Sequence, residues 1–193
     1  MAVVVQHEVS PVARLTTPYE GSAARAWDPD ATIPAPLSLH RTRVPAEWVD
    51  YNGHMSESCF LLAVGDSTDA FFRFFGVDEA YRASGHSLFT VETHLHHLAE
   101  AALGDVMRLD LRVLDVDAKR VHVFHEVFRD DTGRPVATAE QMLLHVDTRA
   151  GRAAALPEHL LARLLTIRAA HAALPRPAAV GHVMRIPHPE GGT

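Results

Sequence analysis

From about residue 87 onward the chain reads as four strand-like segments in succession, 87–98, 105–116, 120–129 and 135–146, and this run constrains the fold more than any other feature. In the second segment Met107, Leu109, Leu111 and Val113 alternate with Arg108, Asp110 and Arg112, the period-two pattern of a strand buried on one face. Asp117-Ala118-Lys119 and Asp130-Asp131-Thr132-Gly133 are turns short enough for consecutive antiparallel hairpins. Ahead of the run, residues 37–44 ("LSLHRTRV") read as a first strand. Residues 56–75 then carry Phe60, Val64, Phe71 and Phe75 at helical spacing, with Leu61 and Phe72 beside them. Ser56 is a suitable N-cap for that helix and Gly76 a suitable stop. A last helix, "PEHLLARLLTIRAAHAAL", takes Pro157 in its first turn. The order strand, long helix, four strands, helix predicts an α+β domain: a curved antiparallel sheet around one long helix, with a C-terminal helix. Such a sheet leaves exposed edges, so the expected assembly is a homodimer that continues the sheet, or a dimer of dimers.

The 193 residues suffice for one domain. Nine of the twelve prolines fall in 1–36 or 175–193, which places the packed domain at 37–174, an arm or linker before it and a tail after it. There is no internal repeat, glycine-rich phosphate loop or dinucleotide fingerprint. With 18 basic against 24 acidic residues, the net charge of −6 argues against nucleic acid as a partner. The single cysteine, Cys59, excludes an internal disulfide framework and a cysteine-rich zinc site. No apolar run approaches the ~20 residues of a membrane span, and the N-terminus lacks the features of a signal peptide, so the expectation is a cytoplasmic protein with no membrane partner.

Chemistry concentrates in residues 48–58, "WVDYNGHMSES". Asn52-Gly53 signals a tight turn in which backbone can approach a ligand closely. Asp50, just upstream of the helix, is a base or nucleophile by residue type. The first N–H groups of the helix, around Ser56, Glu57 and Ser58, lack intrahelical acceptors and sit at the positive end of its dipole, where an oxyanion could develop. Asn52 and His54 could orient a water or the acid. On local chemistry alone, an Asx turn before a capped helix is the stronger reading.

Four separated blocks change that balance. "VDYNGHMSES", "GDSTDAFFRFFGVD", "TVETHLHHL" and "ATAEQMLLHVDTRAGRAA" resemble the hotdog-fold thioesterases of the 4-hydroxybenzoyl-CoA thioesterase type. Within them they are most similar to the betainyl-CoA thioesterases of carnitine breakdown, which occur alone or fused to a carnitine dehydrogenase domain. The resemblance runs from about Pro36 to Leu174. It implies an acyl-CoA thioesterase that hydrolyses betainyl-CoA to glycine betaine and CoA, with no metal and no cofactor, CoA being part of the substrate. Asp50 takes the place of the catalytic aspartate, as nucleophile or as base for water, and a backbone N–H near Glu57 polarises the thioester carbonyl. A related clade draws its carboxylate from the long helix, which leaves Asp66, Asp69 and Glu57 as alternatives.

A trimethylammonium group donates no hydrogen bond, so aromatic faces and a carboxylate should recognise it. Trp48 and Tyr51 flank Asp50 and are the first candidates; Phe89 and Phe124 are further aromatics, and Gly53 lets backbone approach. Glu92 and His94 share one face of a strand and are expected to line or brace the acyl pocket, while His96 and His97 complete a histidine run without a metal-ligand motif. Arg149 and Arg152 are candidates for the CoA phosphates. The competing readings are a thioesterase for another short-chain or aromatic acyl-CoA, and a hotdog module that binds acyl-CoA without cleaving it.

Overall fold

The computed structural model describes residues 17–19 and 25–186. Most of the expected N-terminal arm (1–16 and 20–24) and the end of the expected tail (187–193) lie outside the described residues. Strand β1 (Leu37–Arg43) leads through a single 3₁₀ turn at Ala46–Trp48 to the long helix α1 (Glu57–Phe75). A short helix α2 (Glu79–Ala83) precedes strands β2 (His86–His97), β3 (Val106–Val116), β4 (Arg120–Arg129) and β5 (Pro135–Asp147). The two-residue strand β6 (Arg152–Ala153) and helix α3 (Glu158–His171) complete the order. The 3₁₀ turn, α2 and β6 are additions to the sequence reading, all too short to impose a periodicity.

The sheet is antiparallel throughout, ordered β1-β3-β4-β5-β2, with β6 paired to the end of β5. It curls as a half-barrel against α1, the architecture that the order of elements implied. The inner face follows from the alternation: Met107, Leu109, Leu111 and Val113 of β3 are buried, as are Val121, Val123 and Val127 of β4. Beneath and around α1, one core cluster gathers Phe71, Phe75, Leu88, Leu111 and Leu143 with Leu160, Leu164 and Ile167 of α3. The second gathers Val44, Met55, Phe60, Val64, Leu109 and Ala139 under the start of the helix. Burying each large apolar side chain contributes about 1.5–3 kcal/mol, and the two clusters fix α1 along its whole length.

Helix α1 ends as its sequence predicts. Gly76 takes φ +111°, and its N–H donates to the carbonyls of Phe72 and Arg73. A Cβ at Gly76 would stand 2.6 Å from the mobile end of Arg163, which could shift, so the position needs glycine for its backbone conformation. His171 at the end of α3 accepts the Val113 N–H on Nδ1 (2.9 Å) and contacts Pro34 O through Nε2 (3.0 Å), tying α3 to β3 where β1 no longer pairs with it.

Candidate active site

Residues 49–55 form a small stitched loop immediately before α1. Val49 and Met55 pair as an isolated antiparallel bridge, the Asp50 N–H donates to His54 O (3.0 Å), and the Gly53 N–H donates to Asp50 O (3.0 Å). Gly53 takes φ +80°, the left-handed conformation that the Asn-Gly pair predicted. Two further bonds fix the loop to its surroundings: Ser56 N–H to Trp48 O and Met55 N–H to Ala101 O, both 2.8 Å. Met55 itself is buried in the second core cluster, so the loop hangs from a packed anchor.

The Asp50 carboxylate is held by its own turn. The Asn52 N–H donates to Asp50 Oδ1 at 2.8 Å, an Asx turn, and Oδ2 takes no hydrogen bond among the described residues. Asp50 is half-buried, whereas Asn52 and Gly53 are exposed and Tyr51, at the tip, is 96% exposed. Trp48 packs against the second core cluster. His54 Nε2 turns to Glu100 Oε2 at 3.1 Å, so its ring braces the loop against residues 98–105.

Helix α1 opens directly behind this loop. Ser56 occupies the N-cap position but makes no side-chain cap bond; its Oγ lies 3.4 Å from Ser58 Oγ. The first bond of the helix is the Cys59 N–H to Ser56 O (3.0 Å), which leaves the Glu57 and Ser58 N–H groups ahead of the ladder. A carboxylate oxygen without a partner thus precedes a helix N-terminus with open donors, the two components that attack on a thioester carbonyl requires.

The remaining candidates lie elsewhere. Pairing registers His94 with Glu140 and Glu92 with Met142, both on the outer face, opposite the phase of the buried Gln141, Ala139 and Leu143. Glu92, His94 and His96 therefore point away from α1, and Phe89, registered with Leu144, shares their face. His97 lies in the other phase, with its ring 5.0 Å from that of Phe60. Phe124 also falls in the outer phase, opposite Glu140, yet is 1% exposed. Arg149 and Arg152 stand at the far end of the sheet: β5 runs from Pro135 beside the loop region to Asp147, roughly 40 Å at ~3.3 Å per residue. There Arg149 lies over Gly85 and donates to Ala83 O (3.4 Å). Among the described residues no group of three histidine, cysteine or acidic side chains is arranged to hold a metal ion.

Asp66 and Asp69 lie toward β1. Burial, with Asp69 adding to it, pushes the Asp66 carboxyl up to about 6. Burial and the same two carboxylates push the Tyr19 hydroxyl up to about 12, and that hydroxyl meets Nδ1 of the buried His40 on β1. Asp66 thus carries a raised carboxyl near Tyr19 of the N-terminal segment, whereas Asp50 lies in the loop just before α1.

Two features escaped the sequence reading. A surface hollow of about 490 Å³ beside the loop is lined by His54, Leu98, Ala99, Glu100, Arg129 and Arg134; Arg129 is paired with Asp105 (3.2 Å) and Asp131 (3.1 Å). Under α1, Thr68 Oγ1 lies 2.9 Å from Gln141 Oε1 and 3.4 Å from Nε2 of the fully buried His125, and Gln141 Nε2 donates to Thr93 Oγ1 (3.3 Å). Gln141 and His125 were detectable as polar residues in the apolar phase of their strands. The hollow had no sequence signal, because three segments distant in the chain form it.

A family model described as the thioesterase-like superfamily matches residues 44–164. A Rhizobium sp. protein named L-carnitine dehydrogenase/betainyl-CoA thioesterase is 44% identical over 160 residues, 82% of this chain and 32% of that protein. The chain therefore spans about a third of that relative's length. The Pseudomonas aeruginosa protein named betainyl-CoA thioesterase is 41% identical over 152 residues, covering 78% of this chain and 96% of that one. Among solved structures, the Staphylococcus aureus protein SAV2348, in complex with CoA, superposes with a TM-score of 0.74 at 27% identity, covering 81% of this chain and all of that one. Together with the curled sheet and its single long helix, these matches place the chain in the thioesterase-like superfamily, with the hotdog fold.

Proposed function

We propose that this protein is an acyl-CoA thioesterase that hydrolyses betainyl-CoA to glycine betaine and CoA. The observation that carries the proposal is the Asp50 carboxylate, held by the Asn52 N–H through Oδ1 with Oδ2 open, just ahead of the free donors at the start of α1. Two curated relatives whose names include betainyl-CoA thioesterase, at 41% and 44% identity, supply the substrate.

In this reading the thioester carbonyl sits with its oxygen toward the Glu57 and Ser58 N–H groups. Asp50 Oδ2 either attacks the carbonyl carbon, giving an acyl anhydride that water then opens, or takes a proton from the attacking water. In both routes the tetrahedral intermediate collapses with loss of the CoA thiolate. The helix-terminal donors bear the oxyanion; removing one such donor costs ~10²–10³ in rate in comparable sites. Asn52 keeps Asp50 oriented, and His54, braced on Glu100, keeps the loop in register. Trp48 and Tyr51 flank Asp50 and offer faces to the trimethylammonium, worth about 0.5–2 kcal/mol for each cation–ring contact.

A second copy completes the reading. Among the described residues β2 is an unpaired edge, carrying Phe89 and Val91 at 53% and 54% exposure, and antiparallel addition of a second β2 continues the sheet. Antiparallel addition reverses the ends, so the end of the second copy that bears Arg149 and Arg152 meets the Asp50 end of the first. That geometry supports a role for those arginines at the CoA phosphates which one copy alone does not offer.

Thiol release from betainyl-CoA, a neutral acyl-CoA of matching size and 4-hydroxybenzoyl-CoA tests the proposal. Preference for the betainyl ester is the expected result. Equal rates would remove the cation recognition and keep the thioesterase. No release, with CoA ester binding retained, would make the protein a binding module.

A further inference from the structure

Gly65 stands in the middle of α1 with nothing among the described residues that calls for it. Its backbone is helical, so no left-handed conformation requires glycine there. A Cβ added to it would meet nothing within 4 Å beyond the helix backbone. Glycine in a helix interior is destabilising relative to alanine, and the use this leaves for it is the close approach of a ligand to bare backbone. One turn earlier Leu61 is 46% exposed. With Ser58, these residues at i, i+3 and i+7 form one stripe that begins at the open N–H groups of the helix.

The stripe lies on a particular flank. Asp66, whose carboxylate acts on Tyr19 beside His40, marks the flank of α1 toward β1. Leu61 and Gly65 fall on the other one, on the side of β5 and the β2 edge. Register fixes what lies there. Thr93 pairs with Gln141 and Leu95 with Ala139, both buried under α1, so Thr93 and Leu95 share the inner face at the β2 edge, and both are half-buried. Gln141 Nε2 donates to Thr93 Oγ1 (3.3 Å), while Gln141 Oε1 takes Thr68. The Thr93 hydroxyl is thereby held as an acceptor on its inner side, and its own proton has no acceptor among the described residues. One oriented donor is left at the edge.

We propose that this groove, walled by Leu61 and Gly65 and floored by Thr93 and Leu95, takes the pantetheine arm of the CoA ester. The Thr93 O–H donates to an amide carbonyl of the arm, and the arm passes over the backbone of Gly65. The inference rests on the thioesterase reading and adds to it the path of the substrate. With the thioester carbonyl at the Glu57 and Ser58 N–H groups, Gly65 lies roughly 10 Å along the helix at ~1.5 Å per residue. The second amide of an extended arm stands at about the same distance from the sulfur, at roughly 3.5 Å for every three bonds. The chemistry fits the arm and not the acyl end, because a trimethylammonium has no acceptor for a hydroxyl proton. Leu61 and Leu95 cover the methylenes between the amides. Gln141 and Thr68 act only through Thr93 and are positioning residues.

Steady-state hydrolysis of two esters of one acyl group tests this: betainyl-CoA, and betainyl-N-acetylcysteamine, which keeps the first amide and lacks the rest of the arm. In Gly65→Ala the kcat/KM of the CoA ester should fall about tenfold relative to the short ester. Its Tm should rise by about 2–4 °C, because the helix gains propensity without a clash. Thr93→Val should lower the same ratio about three- to tenfold, and Thr93→Ser, which retains the hydroxyl, should restore it. A more stable Gly65→Ala protein with the native ratio would overturn the proposal. So would a lower Tm, an equal fall on both esters, or a changed assembly state in sedimentation, which would give this flank to a second copy. Hydrolysis of neither ester by the native protein is a different result: it defeats the thioesterase reading, and this inference with it.

Discussion

Thr68 of α1 and Gln141 of β5 meet at 2.9 Å between Oγ1 and Oε1, in the buried layer between helix and sheet. The one hydroxyl proton is shared between Gln141 Oε1 and Val64 O, the latter also 2.9 Å away, and Gln141 passes the network on to Thr93 at the β2 edge. It is a buried polar fastening between α1 and the sheet, beside the apolar contacts that hold the rest of the helix.

Thr68→Val keeps the shape and removes the hydroxyl. Gln141 Oε1 is then left buried without its partner, a loss of about 1–3 kcal/mol. Urea unfolding should show a lower midpoint with an unchanged slope; an unchanged midpoint would mean that the network contributes nothing net.

Gly53→Ala tests the turn. An added Cβ meets nothing within 4 Å, so the whole cost is the backbone conformation at φ +80°, roughly 1 kcal/mol. The expected outcome is a small fall in stability and a larger fall in kcat, because the strain is relieved by moving the Asp50–Asn52 turn. A variant whose kcat is unaltered would separate the turn from catalysis.

Stability should fall on acidification. Burial holds the His40 and His125 imidazoles at about 4, below the ordinary 6.5, so folding favours their neutral forms. Their contribution is complete above pH 6.5 and is lost as pH falls through the window down to about 4. His145 and His171 are lowered by burial as well and act in the same direction. Asp66 opposes them: with its carboxyl raised from 3.8 to about 6, its effect is to weaken the fold as pH rises across that range. Four imidazoles outweigh one carboxyl, so Tm should drop between pH 7 and pH 5, and His125→Phe, if it folds, should flatten that slope. A Tm that rises on acidification would contradict these assignments.

The fold was legible because its signals are local. Period-two alternation in 105–116 and the apolar stripe of 56–75 fixed the elements to within a residue or two, and Gly76 and the Asn52-Gly53 turn behaved as their chemistry requires. The faces of β2 were not legible. Its register shifts between Thr90 and Glu92, and a bulge of that kind inverts which side chains point inward without leaving a pattern in the sequence. That is why Glu92 and His94, expected beside the acyl group, lie on the outer face. Phe124 reads as an available aromatic but is 1% exposed on the outer face, and Arg149 and Arg152 read as neighbours of the site until the length of β5 separates them. What the structure keeps together of the residues named from sequence is the part contained in one short segment, from Trp48 to Ser58.

The most direct test of the central claim is single-turnover and steady-state hydrolysis of betainyl-CoA by Asp50→Asn. The amide oxygen of asparagine can accept the Asn52 N–H in place of Oδ1, so the loop should keep its form and Tm should be close to the native value. The account predicts a loss of about 10³-fold or more in kcat in both assays. Native turnover from a normally folded Asp50→Asn protein would contradict it, and the carboxylates of α1 would then have to be tested in its place.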